Sequence, residues 1–142
     1  MKAATTPTAR TAVLVVTTDP EDLEELRAIL PSSDWNLYSA FSVAEAREML
    51  RHHSYPIIIT EAGATGLMWK TMLGYVSSRL QPPSPKLIVA SASADDQLWA
   101  EVLNQGGFNV LAKPYDAREV RWVLDQARAE VNLALEQGKY SH

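Results

Sequence analysis

The chain has 142 residues, 46% of them hydrophobic and 21% charged, the usage of one soluble globular domain rather than of a disordered or collagen-like chain. Against 17 Asp+Glu, 13 Lys+Arg leave a net charge of -4, so no overall cationic field draws nucleic acid or anionic lipid. The absence of cysteine excludes disulfides, thiolate metal centres and cysteine nucleophiles, and fits a reducing cytosol.

Of the three histidines, His52 and His53 are adjacent and diverge on a helix, and His142 is the last residue, so none has metal-ligand spacing. No segment approaches the roughly 20 apolar residues of a membrane span, and residues 1–10 carry no apolar stretch of signal-peptide length. A cytoplasmic protein with neither a membrane nor a direct nucleic-acid partner is expected. Residues 1–10 read as a flexible lead-in.

The first strand is the aliphatic run Ala12–Val16, the pattern of a strand covered on both faces of a parallel sheet. Asp19 as N-cap and Pro20 at the first helical position open helix 1, with Leu23, Leu26, Ile29 and Leu30 at helical spacing and a stop near Pro31. Trp35–Ala40, less apolar, predicts an edge strand, and Ser42-Val43-Ala44-Glu45 a capping box opening helix 2 as far as His52. Pro56–Thr60 is the third strand, and residues 61–66 a small-residue loop. Helix 3 follows over 67–80, with Leu67, Leu73, Val76 and Leu80 apolar.

The run Gln81-Pro82-Pro83-Ser84-Pro85 predicts a stiff connection into a fourth strand, Lys86–Ala90. Helix 4 is expected from Asp95 to Gln105, capped by Ser93 and stopped by Gly106-Gly107, before a fifth strand, Phe108–Ala112. Helix 5 then runs from Asp116 to Gln137, with Gly138 as its stop. Five strands alternating with five helices imply right-handed crossovers and a five-stranded parallel sheet with helices on both faces, a doubly wound α/β fold. Chemistry in such folds gathers at the carboxyl ends of the strands. Here those ends carry Thr17-Thr18-Asp19, Thr60-Glu61, Ser91-Ala92 and Lys113-Pro114.

Four segments, Val13 to Pro20, Tyr55 to Glu61, Ala90-Ser91-Ala92 and Gly106 to Pro114, resemble in order the successive signatures of a response-regulator receiver domain of the CheY-like superfamily. The resemblance spans residues 11–127 and leaves 128–142 as a C-terminal extension of helix 5. It implies the (βα)5 flavodoxin-like fold and a mechanism in which a histidine kinase passes a phosphoryl group to an aspartate ending strand 3. That aspartate holds Mg²⁺ together with an acidic pair ending strand 1. Carried onto this chain, the acidic pair falls on Thr17 and Thr18, the phosphoacceptor on Glu61, the retained hydroxyl and lysine on Ser91 and Lys113, and the aromatic switch on Val110. Neutral hydroxyls are poor ligands for a hard ion that wants anionic oxygens, so no metal, other cofactor or catalysis is expected. The resemblance thus implies a degenerate pseudo-receiver that signals through protein contacts.

Glu61 is either a solvated loop carboxylate or, one methylene longer than aspartate, a partner reaching Lys113. Lys113-Pro114 also resembles the family's cis peptide, which shapes the turn whatever the lysine does. Val120, Leu124, Ala127, Val131 and Ala134 form a heptad seam on helix 5, and past Ala127 the sheet is expected to run out. Trp99 and Trp122 are either a sticky face or core. The expected partner is a signalling protein, such as a histidine kinase. A homodimer is expected either through the helix 4, strand 5 and helix 5 face or through the helix 5 tail. Two alternatives stay open: a receiver phosphorylated on another residue, and a small-molecule-binding or enzymatic flavodoxin-like domain. Against the latter, no GxxxxGK[ST] or GxSxG motif occurs.

Overall fold

The computed structural model describes residues 10–79 and 83–140. Strands β1 (Thr11–Val16), β2 (Trp35–Ala40), β3 (Ile57–Glu61), β4 (Lys86–Ser91) and β5 (Asn109–Ala112) alternate with helices α1 (Pro20–Ile29), α2 (Val43–His52), α3 (Leu67–Arg79), α4 (Asp96–Asn104) and α5 (Ala117–Tyr140). The strands form one sheet in the order β2-β1-β3-β4-β5, with every neighbouring pair parallel. This is the doubly wound α/β fold that the alternation predicts, with β2 at an edge.

Side chains alternate along each strand, so one aliphatic run feeds two layers. Val13 and Val15 pack with Leu23 and Leu26 of α1 and with Val120, Val123, Leu124 and Ala127 of α5. Leu14 and Val16 face the other way, toward Ala46 and Leu50 of α2, Trp69, Met72, Leu73 and Val76 of α3 and Val102 of α4. Each fully buried Val, Leu or Ile contributes about 1.5–3 kcal/mol, so these two layers outweigh any surface ion pair. The inward stripe of α3 begins at Trp69; Leu67, expected to be on it, is 64% exposed.

The helix starts follow their predicted caps with two changes. The Asp19 carboxylate accepts the Glu21 N–H at 3.0 Å with Pro20 beside it. Ser42 Oγ accepts the Glu45 N–H at 3.0 Å, while Glu45 reaches back past the usual box position to the Phe41 N–H at 2.7 Å. The cap of α4 is Asp95, whose carboxylate accepts the Leu98 N–H at 2.9 Å, and not Ser93. The Ser93 N–H is held by Ser91 Oγ at 3.0 Å and its carbonyl by the Asp95 N–H at 2.9 Å, so it shapes the turn before the helix. At the other end of α4, Gly106 adopts φ +100°, and the Gly107 N–H returns to the Val102 carbonyl at 2.8 Å, closing the helix as predicted.

Helix α5 departs from expectation at its end, running through Gly138 to Tyr140. Glycine weakens a helix by about 1 kcal/mol without forbidding its dihedral angles. The domain also covers one turn more of this helix than expected. The Arg128 guanidinium stacks 4.4 Å from the centre of the Trp35 ring, Glu130 pairs with Lys86 at 3.5 Å, and Val131 packs against the core layer. Beyond it the large apolar side chains Leu133 and Leu135 emerge, at 53% and 57% exposure. Residues 1–9 of the predicted lead-in, Leu80, Gln81 and Pro82, and His142 lie outside the described residues. Among the described residues no helix is long and apolar enough to cross a membrane.

Candidate functional site

The chain leaves β1 toward β2 in one direction and β3 toward β4 in the other, so a crevice opens at the carboxyl ends of β1 and β3. Thr17 and Thr18 follow β1 there, Glu61 ends β3, Ser91 ends β4, and Lys113 follows β5 directly, joined to Pro114 by a cis bond. The fold brings these predicted residues to one edge. It does not make them one cluster.

Lys113 and Glu61 each bond elsewhere, so the pairing of the two, one of the alternatives open for Glu61, does not form. The lysine Nζ donates to Asp22 Oδ2 at 2.5 Å, and Thr17 Oγ1 donates to the same oxygen at 2.7 Å. Thr17 is 1% and Asp22 3% exposed. Thr17 Oγ1 in turn accepts the Asp19 N–H at 3.0 Å, tying the site to the cap of α1. Glu61 Oε1 accepts both the backbone N–H and the hydroxyl of Thr18, each at 2.7 Å. Alternation along β1 explains the division. Thr17 points in beside α1, and Thr18 points out over the crevice toward β3.

Asp22 is the residue that sequence reasoning missed. It stands in the first turn of α1, where an acidic side chain is ordinarily an exposed response to the helix dipole. Its signal was phase: position 22 shares a face with Leu26 and Ile29, the stripe that turns inward. A carboxylate there is desolvated, and a lysine reaching it through low-dielectric surroundings forms a strong charge-assisted bond.

Tyr115, two residues past Lys113, completes the pocket. Its phenol is pushed above its ordinary range by burial first, and then by the carboxylates of Asp22, Glu25, Glu61 and Asp19. The Lys113 ammonium lies 6.0 Å from the centre of its ring. Ser91 Oγ is occupied within its own turn by the Ser93 N–H. Val110, at the switch position, is 8% exposed and packs in the layer of α2, α3 and α4. Among the described residues no group of three or more acidic or histidine side chains is arranged to hold a metal ion.

A second surface lies along the free edge of β5, between α4 and α5. The Val110 N–H is taken by Asn109 Oδ1 at 2.8 Å and the Ala112 N–H by Glu119 Oε1 at 3.1 Å. Trp99 Nε1 donates to the same Asn109 oxygen at 3.2 Å. A groove of about 450 Å³ here includes Asp95, Asp96, Trp99, Glu119 and Trp122 in its lining. Trp99 and Trp122 are 50% and 61% exposed, which decides for a surface face over core. A larger cavity, about 1040 Å³, lies at the opposite, amino edge between Phe108, Lys86 and the overhanging turns of α5, remote from the strand-end residues.

Sheet order, crossovers and strand-end crevice together define the flavodoxin-like architecture of CheY-like response-regulator receiver domains, and solved structures of that class match it. The signal receiver domain of an HD domain-containing protein from Pseudomonas fluorescens Pf-5 superposes with a TM-score of 0.74 at 25% identity, over 87% of this chain and 98% of its own. A response regulator from Thermotoga maritima gives 0.74 at 17% identity, over 84% and 98%. The chemotaxis response regulator CheY4 of Vibrio cholerae gives 0.73 at 14% identity, over 84% and 99%. No family model and no curated protein sequence matches the chain.

Proposed function

We propose that this chain is a receiver-like module of a two-component or phosphorelay-type system that works without phosphorylation, through contacts with another signalling protein. The observation that carries the reading is the engagement of Lys113 by Asp22: the lysine that would meet a phosphoryl group already holds a buried carboxylate from α1. Glu61, at the acceptor position, is spent on Thr18. The donor set does not fit Mg²⁺, which wants near-octahedral oxygen ligands with anionic members. Thr17 and Thr18 are neutral, and both hydroxyls already donate to carboxylates.

In this reading the module is non-catalytic, and the ion pair between α1 and the turn after β5 holds permanently what a modification would otherwise adjust. Val110, with no ring to rotate, leaves the neighbouring α4–β5–α5 face in one state. That face then serves as a standing platform for a signalling protein, such as a kinase-type partner, or for a second copy. The test is incubation with acetyl phosphate and Mg²⁺ followed by intact-mass measurement, with a parallel Mg²⁺ titration of tryptophan fluorescence. Neither mass nor fluorescence should change. A stoichiometric phosphoryl adduct overturns the reading.

A further inference from the structure

We propose that the groove over the edge of β5 captures a cationic, arginine-bearing segment of a protein partner, its guanidinium held against Trp99 and Trp122 by the carboxylates of Asp95, Asp96 and Glu119. The inference rests on the signalling reading above and names the partner's chemistry at the face that reading uses.

Exposure sets the first constraint. Trp35 and Trp69 are 4% and 1% exposed, whereas the two indoles of this groove stand half or more in water. A solvated indole forgoes the burial that makes tryptophan favourable in a core, and such residues anchor interfaces. Indole faces are electron-rich and attract cations, arginine more often than lysine, because a planar guanidinium stacks on the ring and still donates hydrogen bonds at its edge.

Charge sets the second. The lining holds three carboxylates and no cationic side chain. Among the described residues none of the three carboxylates lies within ion-pair distance of a Lys, Arg or His. The groove is therefore complementary to a cation, whereas at the carboxyl edge Asp22 already holds the Lys113 ammonium.

Preorganisation and backbone satisfaction set the third. Asp95 and Glu119 are held by backbone N–H groups of Leu98 and Ala112, and Trp99 is steered by Asn109, so little ordering remains to be done on binding. An edge strand ordinarily invites another strand to pair with it. Here side chains of Asn109 and Glu119 occupy the Val110 and Ala112 N–H groups, which closes that route and leaves side-chain capture. A volume of about 450 Å³ takes a few side chains, which suits a short segment.

The probe is the peptide acetyl-Arg-Leu-Arg-Leu-Arg-amide, compared with the same peptide carrying Glu in place of Arg, titrated into the full chain. With Trp35 and Trp69 buried, acrylamide quenching reports chiefly on the groove. The arginine peptide should bind, protect tryptophan from acrylamide and weaken as salt is raised, while the glutamate peptide does none of these. Asp96→Lys and Trp122→Ala, both exposed positions whose variants should keep the far-UV circular dichroism of the parent, should each weaken binding about tenfold. Equal binding of the two peptides, unchanged affinity in both variants, or absence of protection at millimolar arginine peptide overturns the proposal. So does sedimentation showing that the unliganded chain is a dimer dissociated by Trp122→Ala, because the occupant is then a second copy. These failures leave the acetyl phosphate result standing, and a phosphoryl adduct would sink the phosphorylation-independent reading without altering the peptide measurement.

Discussion

Lys113 and Trp122 belong to two surfaces barely separated along the chain, and they differ in what they leave unmatched. At the carboxyl edge, Lys113, Asp22, Thr17, Thr18, Glu61 and Ser91 each bond to a partner from the same chain. Along β5 the carboxylates of Asp95 and Glu119 cap backbone groups but meet no cation among the described residues, and two indoles stay wet. An internally satisfied site has little interaction energy left for a ligand, whereas charge and apolar surface left unmatched in the monomer are available to a partner. On that ground we assign the first region to stability and propose the second for recognition.

The strongest way to break this contrast is at Asp22. Replacing it with Ala leaves the Lys113 ammonium and the Thr17 hydroxyl facing a largely buried void, and should cost about 3 kcal/mol in urea denaturation. A loss below about 1 kcal/mol would rank the pair with exposed surface bridges. A double-mutant cycle of Asp22→Asn with Lys113→Met should show strong coupling. The cycle of Glu61→Gln with Lys113→Met should be additive within about 0.5 kcal/mol, since these two do not touch.

Alkaline pH sharpens the same contrast. Tyr115 is held neutral by burial and then by Asp22, Glu25, Glu61 and Asp19, so its folded pKa lies above its unfolded value of about 10. Its contribution is whole below that pH and is lost as pH rises toward the folded value, because the unfolded chain ionises first. Stability measured by urea from pH 9 upward should therefore fall by up to about 1.4 kcal/mol per pH unit above pH 10 from this group. Tyr115→Phe should remove that component. An identical alkaline slope in the variant would mean that the phenol is not confined.

Glu61→Ala should cost about 1 kcal/mol, the worth of its bonds to Thr18 at a partly exposed site. Trp122→Ala should be the mildest change, within about 0.5 kcal/mol of the parent, because the side chain contributes surface rather than core. A substantial loss of stability there would return Trp122 to the fold and remove the ground for a recognition surface.

The element order was legible because it depends on local signals. The short, β-branched run Val13–Val16 suits a strand covered on both faces, Asp19-Pro20 supplies a cap and a first helical position, and Gly106-Gly107 stops a helix by backbone geometry. Where local signals compete, reading went astray. Ser93 and Asp95 are both good caps, and the choice fell to the turn that Ser91 builds. Gly138 resembles a stop, yet nothing turns the chain there, so the helix continues.

Sequence alone determined the doubly wound α/β architecture and which residues reach the carboxyl edge, because strand ends follow from hydrophobic period and caps. It could not say which of those residues meet. Asp22 and Lys113 are far apart in the chain, and their contact exists only because α1 and the turn after β5 pack on the same side of β1. The pairing of Glu61 with Thr18 likewise depends on the side-by-side registration of β1 and β3. A hydrogen bond is decided by ångström-scale distances between side chains, and those are fixed only when the layers close around the sheet.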